Sequence, residues 1–307
     1  MIILIGASGY IGQEFKKQLE EMGESVCCLS RAEYDYYDLG NLVQIIDVKG
    51  AEFVINCAGY TGKPNVDACE DNQEEAIKGN VTLPRIIAKA CKMTNTPWGH
   101  VSSGCIYSGT KGANGFTEED LPNFSFDQPP CSFYSGTKTQ GEEVIQKQGG
   151  DYYIWRLRIP FDGEDSPRNY LTKLMNYPML LDATNSISHK GDFVRYCLAL
   201  WKRKADFGIY NVVNTGAITT KDVTAKINDI LGINKSFKYF ASERDMYDLG
   251  AARTPRSNCV LDNTKLIKAL SPMKIRNSMT AIKASLKQWK DTKQDKDENG
   301  IDKSFWD

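Results

Sequence analysis

The chain has 307 residues, and at about 150 residues per domain this length predicts two domains. Lysine and arginine number 38 and aspartate and glutamate 39, so the net charge is −1, which argues against a nucleic-acid-binding protein because such proteins usually carry a basic excess. No apolar run approaches the roughly 18 residues of a membrane span. The chain has only two histidines, and its nine cysteines form no CxxC pair, which disfavours a metal site or a histidine triad. This use of cysteine is typical of a reducing, cytoplasmic compartment.

Six short apolar runs are typical of strands that are buried on both faces of a parallel sheet. The first begins at Ile2 and is too short for a signal peptide. Helices with apolar residues at helical spacing are predicted at Gln13–Met22 and Leu83–Met93. Because strands alternate with helices, we predict an α/β fold with a doubly wound Rossmann sheet. The six predicted strands are Ile2–Ala7, Ser25–Ser30, Phe53–Gly59, His100–Tyr107, Tyr153–Ile159 and Gly208–Val213.

The alternation changes after Pro160. Helices are predicted near Asn169–Tyr177 and at Gly191–Lys202, and Val260–Lys290 has a mostly helical pattern. Asp291–Asp307 is highly charged with little periodicity, which predicts a solvated or frayed tail. The predicted division is a nucleotide-binding domain over residues 1–160, to which 191–214 return, and a smaller, mainly C-terminal substrate-binding domain over 161–190 and 215–307.

A GxxGxxG motif joins the first predicted strand to the first predicted helix. Its glycines permit a tight turn and close approach of the backbone, and the helix N-terminus offers free N–H groups and positive dipole to a pyrophosphate. We therefore predict a dinucleotide site, with an ordinary turn as the alternative. The predicted contacts in the motif are Gly6, Ser8, Gly9, Tyr10, Ile11 and Gly12.

The second predicted strand ends at Ser30-Arg31, where NAD sites usually carry an acidic residue that binds the ribose 2′-OH. The sequence has no carboxylate at this position, and Arg31 suits a 2′-phosphate through paired, charge-assisted hydrogen bonds. We therefore expect NADPH rather than NADH, with a surface arginine as the alternative. Asp38 and Leu39 follow and are candidates to flank the adenine, or are ordinary loop residues.

Tyr134 and Lys138 form a YxxxK motif, whose two side chains share one face of a helix. A nearby ammonium, together with an oxidised nicotinamide, is expected to lower the pKa of the phenol from its reference value of about 10. The phenol can then exchange a proton with a carbonyl oxygen during hydride transfer. Ser103 lies upstream, where a predicted strand carries two hydroxyls.

Ser103, Tyr134 and Lys138, in this order behind the glycine motif, resemble the catalytic residues of extended short-chain dehydrogenases/reductases. The resemblance implies that Ser103 is the catalytic hydroxyl of the set. Asn56–Gly59 resembles the superfamily's NNAG segment beside the adenine ribose, and Asn80 matches its helix asparagine. The further cofactor contacts that we predict are Cys57, Ala58, Gly59, Tyr60, Asn80, Ser102, Tyr134, Lys138 and Arg158.

A narrower resemblance extends over most of the chain, to bifunctional UDP-4-keto-6-deoxyglucose 3,5-epimerase/4-reductases, which make UDP-L-rhamnose, and more distantly to dTDP-4-dehydrorhamnose reductases. It implies a nucleotide-sugar substrate supplied by an upstream nucleotide-sugar 4,6-dehydratase. A homodimer is a superfamily-level expectation. Ser103 departs from the family, which has threonine there, but the hydroxyl is retained. The segments that carry the resemblance are Asn56–Glu70, Gly104–Ile106, Gly115–Phe124, Ser132–Lys138, Arg156–Pro160, Pro167–Lys173 and Thr254–Asn258.

The family's epimerase acid–base pair maps onto Cys105 and Lys173. A 4-keto group acidifies the C3 and C5 hydrogens, and inversion needs a base on one face and an acid on the other. A thiol or a desolvated lysine can serve in these roles. From the residues alone, however, Cys105 is predicted to be a small core residue and Lys173 a solvated helix lysine. Strand alternation predicts that Cys105 lies on the same side as Ser103. The predicted catalytic residues are Ser103, Cys105, Tyr134, Lys138 and Lys173, and no metal is expected.

The substrate diphosphate needs a cation, for which Arg256 is the best candidate, with a surface ion pair as the alternative. Lys63 and Asn65 are expected near the sugar. Asp67 and Glu70 could hold sugar hydroxyls or simply start a helix. The predicted substrate contacts are Lys63, Asn65, Cys105, Asn169, Lys173 and Arg256, and Asn169 is expected to share a helix face with Lys173.

Three alternatives remain open. A plain 4-reductase would act on a sugar that a separate protein has epimerised, and Cys105 and Lys173 count against it. GDP-fucose synthase-like chemistry commonly pairs the cysteine with a histidine, and this chain has Lys173 at that position. A non-catalytic NADP-binding regulatory subunit is disfavoured because the hydroxyl, phenol and ammonium of the catalytic set are all present.

Overall fold

The six predicted strands form one parallel sheet in the computed structural model, which describes residues 1–298. Most of them are shorter than predicted, and the fourth begins two residues earlier and ends where a 3-10 turn starts at Gly104. In chain order the strands are β1 (Ile2–Ile5), β2 (Val26–Leu29), β3 (Phe53–Asn56), β4 (Trp98–Ser103), β5 (Tyr152–Leu157), β6 (Pro160–Phe161), β7 (Thr184–Asn185), β8 (Ser188–His189), β9 (Gly208–Asn211) and β10 (Ile218–Thr219).

The sheet order is β2-β1-β3-β4-β5-β9, and every neighbouring pair is parallel. The chain leaves β1 toward β2 and then crosses to β3 on the other side, so the connections diverge between β1 and β3. Ligands of open α/β sheets bind at the carboxyl ends of the strands at such a switch point. The predicted Rossmann-like α/β fold is confirmed. From this topology we expect a ligand site at the carboxyl ends of β1 and β3.

Helices cover both faces of the sheet. In chain order they are α1 (Tyr10–Glu21), α2 (Leu39–Val48), α3 (Ala68–Asp71), α4 (Gln73–Ile77), α5 (Leu83–Met93), α6 (Phe133–Gln148), α7 (Tyr170–Asn176), α8 (Lys190–Lys202), α9 (Thr220–Leu231), α10 (Glu243–Asp248), α11 (Thr264–Leu270) and α12 (Ser278–Glu298). None of the helices in residues 1–298 combines the length and the apolar character needed to cross a membrane.

The alternation along β1 explains its uninterrupted apolar sequence. Ile2 and Leu4 pack in the cluster that contains Phe15 of α1, whereas Ile3 and Ile5 pack in the cluster on the opposite face. All four β1 side chains are buried, so a strand in this position must be apolar at every residue. This is why the period-2 alternation of a half-exposed strand is missing from the sequence.

A second layer of structure follows the sheet. β6 pairs with β8 and β7 with β10, and a separate apolar cluster contains Phe161, Leu171 of α7, Ile227 of α9 and Ile282 of α12. α11, by contrast, packs on the sheet's own core. The exact domain boundaries stay a prediction. Of the predicted solvated or frayed tail, fraying is wrong for residues 291–298, where α12 continues, while Asp291 and Thr292 are exposed. Residues 299–307 lie outside the described residues.

Candidate active site

The glycine motif forms the turn between β1 and α1. Gly6 has φ +83°, and a Cβ on it would lie 2.5 Å from the backbone nitrogen of Ala58. A Cβ on Gly12 would lie 2.0 Å from the carbonyl oxygen of Gly6. Gly9 is the N-cap of α1 and contributes no side-chain oxygen, so the first-turn N–H groups gain no side-chain acceptor from the cap. The motif therefore brings bare backbone and a helix N-terminus to the end of β1.

A cavity of about 690 Å³ opens at the β1/β3 switch point. Its walls are the glycine turn, the end of β2 and the segment that follows β3. The backbone of Tyr60 extends this wall. Asn80 fixes it in place, because the Asn80 side chain accepts a hydrogen bond of 2.9 Å from the Tyr60 N–H and donates one of 2.8 Å to the Tyr60 C=O. The sequence-predicted residues that line the cavity are Gly6, Ser8, Gly9, Ser30, Arg31, Cys57, Ala58, Gly59 and Tyr60.

The loop after β2 also carries a carboxylate that the sequence reasoning missed. Glu33 lines the cavity with Arg31, and its carboxylate accepts a hydrogen bond of 2.9 Å from the hydroxyl of Ser30. Residues 29–32 carry no carboxylate, as predicted, but Glu33 directly beyond them brings one to the cavity. The turn after β2 places Glu33 in the cavity wall. Its position in the sequence, two residues beyond Arg31, was the signal from which this carboxylate could have been predicted. Lys16 of α1 is a further lining residue that was not predicted.

Several predicted cofactor residues have other roles. Asp38 is the N-cap of α2 and accepts a bond of 2.8 Å from the N–H of Asn41, which explains why Leu39 begins a helix. Ser102 donates to the buried Glu142 at 2.6 Å. Tyr10 places its hydroxyl in the interior without a hydrogen-bond partner in the described part of the chain. The predicted cofactor contacts that are not among the cavity-lining residues are Tyr10, Ile11, Gly12, Asp38, Leu39, Asn80, Ser102, Tyr134, Lys138 and Arg158.

Helix α6 presents Tyr134 and Lys138 toward the end of β4. Lys138 is buried, and its ammonium donates to the carbonyl of Val101 at 3.2 Å. Burial raises the pKa of Tyr134, and a hydrogen bond with Ser103 opposes that rise only in part. In the ligand-free protein the pKa of Tyr134 is therefore raised, because loss of water destabilises the phenolate more than the nearby positive charge of Arg158 stabilises it. The predicted lowering, which also needs an oxidised nicotinamide, stays a prediction.

Cys105 lies in the 3-10 turn Gly104–Ile106 rather than in a strand. Strand alternation therefore does not place it beside Ser103, but the tight turn does, and the Cys105 N–H donates to the Ser103 hydroxyl at 3.2 Å. Cys105 is buried in a cluster against which Tyr134 packs. Burial raises the pKa of the Cys105 thiol, while Ser103, Arg158 and Lys138 act in the opposite direction.

Lys173 on α7 is half-buried, and the pKa of its ammonium is lowered by burial and then by Arg168 and Arg256. Asn169 does not share its helix face. It is the N-cap of α7, it is fully buried, and its amide donates to Asp162 and to the carbonyl of Glu164. In the ligand-free protein the N-terminus of α7 thus uses the Asn169 side chain, and the substrate contact at Asn169 stays a prediction.

Arg256 forms a two-point ion pair with Asp67, at 2.7 and 2.8 Å. Burial would raise the pKa of Asp67, but the bonds and charge of Arg256 outweigh it and lower that pKa. In the ligand-free protein Arg256 thus forms an ion pair, which was the predicted alternative to a contact with the substrate diphosphate. Glu70 also has a structural role, since it accepts a bond of 2.7 Å from the N–H of Phe133 at the start of α6.

Arg168 is a second cation near Lys173 that sequence reasoning did not single out. Its guanidinium donates to the carbonyl of Gly62 at 3.0 Å, and Arg256 bonds Asp67 five residues further along. The segment between these two anchors contains Lys63, which is exposed, and Asn65, whose side chain accepts a bond from the N–H of Asp67 at 2.8 Å. The predicted sugar-binding residues are therefore held beside the positive charges that surround Lys173.

Comparisons with known proteins identify the family and the fold. The family described as RmlD substrate binding domain matches residues 1–290. A bifunctional dTDP-4-dehydrorhamnose 3,5-epimerase/dTDP-4-dehydrorhamnose reductase from Arabidopsis thaliana is 31% identical over 275 residues, which cover 86% of this chain and 85% of the relative. The match to the trifunctional RHM1 of Arabidopsis thaliana, at 30% identity, covers 87% of this chain and only 39% of that protein.

Two solved structures share the fold. The L780 UDP-rhamnose synthase from Acanthamoeba polyphaga mimivirus has a TM-score of 0.83 at 26% identity, over 94% of this chain and 99% of the other. A dTDP-4-dehydrorhamnose reductase from Clostridium acetobutylicum has a TM-score of 0.77 at 23% identity, over 96% of this chain and 100% of the other.

Proposed function

The chain belongs to the RmlD substrate binding domain family, and from this premise we propose that it is an NADPH-dependent nucleotide-sugar reductase that also epimerises its substrate. The proposed substrate is a nucleotide-4-keto-6-deoxyglucose, with UDP as the preferred nucleotide, and the product is the nucleotide-L-rhamnose. The observation that carries the proposal is the packing of the Tyr134 phenol on the cluster that contains the Cys105 thiol. Reduction at C4 and inversion at a neighbouring carbon require proton donors at two adjacent places.

The cavity at the β1/β3 switch point suits a nicotinamide dinucleotide. The Gly6 position has no room for a side chain and allows the pyrophosphate to approach the backbone. Lys16 and Arg31 line the same cavity and supply the positive charge that phosphates require. When bound, NADPH supplies the hydride that reduces the C4 carbonyl.

Tyr134 is the proposed proton donor to O4 in the reduction. Its raised pKa keeps the phenol protonated, which is the state that a donor needs in the reductive direction. Lys138 adds positive charge where the phenolate is left behind, and Ser103 hydrogen-bonds the phenol or the sugar carbonyl. The intact set favours an enzyme over a regulatory subunit.

Lys173 and Cys105 are the proposed pair for epimerisation. Burial and two arginines shift Lys173 toward the neutral amine, and burial keeps Cys105 as the neutral thiol. The amine can therefore remove a proton from the carbon beside the C4 carbonyl, and the thiol can return one to the opposite face. The pair ends as ammonium and thiolate and is reset by proton exchange with water.

Incubation with NADPH and un-epimerised UDP- or dTDP-4-keto-6-deoxyglucose, followed by NMR of the sugar, tests the proposal. Formation of the L-rhamnose nucleotide is the expected result. Turnover only of a sugar that has already been epimerised would instead establish a plain 4-reductase. Tight NADP binding with no turnover of any keto-sugar would establish the non-catalytic alternative.

Arg31→Ala is expected to weaken NADPH binding about tenfold and to leave NADH binding within about twofold, because the side chain would bind the 2′-phosphate that only NADPH carries. Titration of protein fluorescence with each nucleotide measures both constants. Arg85→Ala is the control, since Arg85 is exposed and outside the cavity lining. Equal weakening of both nucleotides would contradict 2′-phosphate recognition by Arg31.

Arg168→Gln is expected to move the acidic limb of the epimerisation pH profile to higher pH. Arg168 is one of the charges that lower the pKa of Lys173, so its removal raises that pKa, and the neutral amine then becomes dominant only at a higher pH. Solvent-deuterium incorporation measured against pH gives the limb directly. An unchanged limb, or the same shift in Arg85→Gln, would argue against Lys173 as the base.

The substrate must come from a nucleotide-sugar 4,6-dehydratase, because oxidation at C4 and loss of the C6 hydroxyl must precede this chemistry. The names of the trifunctional relatives, which combine a dehydratase with the epimerase and reductase, support that supply. A homodimer and a cytoplasmic location stay predictions.

A further inference from the structure

Arg158 is a buried arginine directly beyond the end of β5. Its side chain is 7% exposed, and one terminal nitrogen donates to the Asn185 side chain at 2.6 Å and to the carbonyl of Ser257. The Nε–H is buried and has no hydrogen-bond partner in the described part of the chain. A buried donor without an acceptor costs roughly 1–3 kcal/mol, so a ligand oxygen is the natural partner to seek.

Arg156 provides a comparison on the same strand. Its guanidinium is equally buried but is matched by Glu142 through bonds of 2.7 and 3.1 Å. In the described part of the chain no carboxylate forms an ion pair with Arg158. An uncompensated buried cation is expensive in a protein interior, and its retention indicates that an anionic group completes the site at some stage.

The sheet register locates Arg158 beside the proposed catalytic groups. Leu157 pairs with Ser103 across the parallel β4–β5 ladder, so Arg158 and Gly104 leave the sheet side by side. The segment Ser257–Cys259 contacts both residues. The Ser257 carbonyl accepts a hydrogen bond from Arg158, and the Cys259 thiol donates to the carbonyl of Gly104 at 3.2 Å. The positive charge of Arg158 acts on both Cys105 and Tyr134, where it opposes the effect of burial on each pKa.

The backbone after Arg158 is strained. Ile159 has φ +39°, a conformation that a β-branched residue rarely adopts. Such strain persists only where surrounding contacts hold it, and it is common at sites where a side chain must be aimed. The Arg158 N–H is fixed as well, by a bond of 3.1 Å to the Ser188 hydroxyl. The chain therefore holds this guanidinium in one place.

We propose that Arg158 is a catalytic residue of the epimerisation and donates hydrogen bonds to the C4 oxygen of the keto sugar as the enolate forms. The inference rests on the proposed function and deepens it. It replaces the expectation that Arg158 binds the cofactor, because Arg158 does not line the dinucleotide cavity. The C4 oxygen must lie within reach of Tyr134 while its neighbouring carbon faces Cys105, and Arg158 is adjacent to both.

The Lys173 amine takes the proton from the carbon beside C4, and the electrons of the broken C–H bond form a C=C bond. The C=O π electrons move to the C4 oxygen, which becomes an anion bound by Arg158. The Cys105 thiol then protonates the opposite face of the carbon, the C=O bond re-forms, and Arg158 is again bonded to a neutral carbonyl. Preorganised donors of this kind act on charge that develops in the transition state.

Arg158→Gln is expected to lower solvent-deuterium incorporation at C3 or C5 by roughly 10²–10³-fold, the usual cost of losing one such donor. Exchange is measured by NMR on the un-epimerised keto sugar. NADP binding is expected to stay within about twofold of wild type and serves as the measure of folding. Arg158→Lys, which keeps the charge without the planar fork, is expected to retain more exchange than Arg158→Gln.

Two further measurements separate this role from a structural one. Added guanidine is expected to restore part of the exchange in Arg158→Ala, since a small cation can fill the vacated space. Arg203→Gln removes an exposed arginine that also donates to a carbonyl, that of Leu270, and should leave exchange unchanged. Exchange within tenfold of wild type in Arg158→Gln, or loss of NADP binding, would overturn the role while the proposed function stood. Absence of exchange in the wild type would overturn both.

Discussion

Tyr134→Phe should lower the rate of NADPH oxidation by roughly 10²–10⁴-fold, the contribution of a positioned general acid, and leave epimerisation within about threefold of wild type. The phenylalanine keeps the ring that packs on the Cys105 cluster but has no proton to give. Exchange at C3 or C5 uses the amine of Lys173, the thiol of Cys105 and the guanidinium of Arg158 but not the phenol, so it should continue. Removal of one oxygen atom would thus slow the reduction and leave the epimerisation nearly unchanged.

The measurement is a pair of assays on the same protein, NADPH absorbance during turnover and deuterium incorporation by NMR without NADPH. Tyr152→Phe is the control, since it removes a partly buried phenol from the far end of the neighbouring strand β5. NADPH oxidation within tenfold of wild type in Tyr134→Phe would remove Tyr134 from the reductase mechanism. Equal loss of both activities would indicate instead that the phenol positions the whole sugar.

The fold was predictable to a large degree because its central signal is local. Each buried strand is a short apolar run, and burial of both faces of β1 requires apolar residues at every position. The same reasoning missed α9, although Thr219 and Asp222 form a capping box that marks its start. It also missed α2, for which Asp38 was the N-cap signal that we interpreted as a cofactor contact.

The site was less predictable because side-chain roles depend on partners that are distant in sequence. Arg256 and Asp67 form an ion pair across 189 residues, and no local pattern reveals it. Asn169 is used by the N-terminus of its own helix, which a cap rule could have shown. Arg158 differs again, because its significance is that its buried Nε–H has no hydrogen-bond partner among residues 1–298, and only the packed structure shows that.

The direction of each pKa also needed the structure. The sequence predicted that Lys138 and an oxidised nicotinamide together lower the pKa of Tyr134, whereas in the ligand-free protein burial dominates and keeps the phenol protonated. The same effect raises the pKa of Cys105 and lowers that of Lys173. Burial therefore keeps both proposed proton donors in their neutral forms and shifts the proposed base toward the neutral amine, which is the combination that a reductive epimerase requires.

Cys105→Ser should reduce deuterium incorporation at C3 or C5 by about 10²–10⁴-fold while NADP binding stays within about twofold. Serine nearly preserves the shape of the side chain, but its hydroxyl is a far weaker acid than a thiol, whose reference pKa is about 8.5. The Cys105 N–H bond to Ser103 is made by the backbone and survives the change. The loss would thus report the acidity of the sulfur and not the geometry of the turn.

Cys259→Ala is the matched control, because Cys259 is buried in the same cluster and its thiol donates to Gly104. It should cost stability and leave exchange within about threefold of wild type. A second measurement uses sugar that has already been epimerised. Cys105→Ser should reduce it with NADPH at close to the wild-type rate, because Tyr134 and not Cys105 protonates the C4 oxygen. Normal exchange in Cys105→Ser would remove the Cys105 thiol from the epimerisation mechanism, whereas loss of exchange with reduction intact would establish the thiol as the acid that makes the enzyme bifunctional.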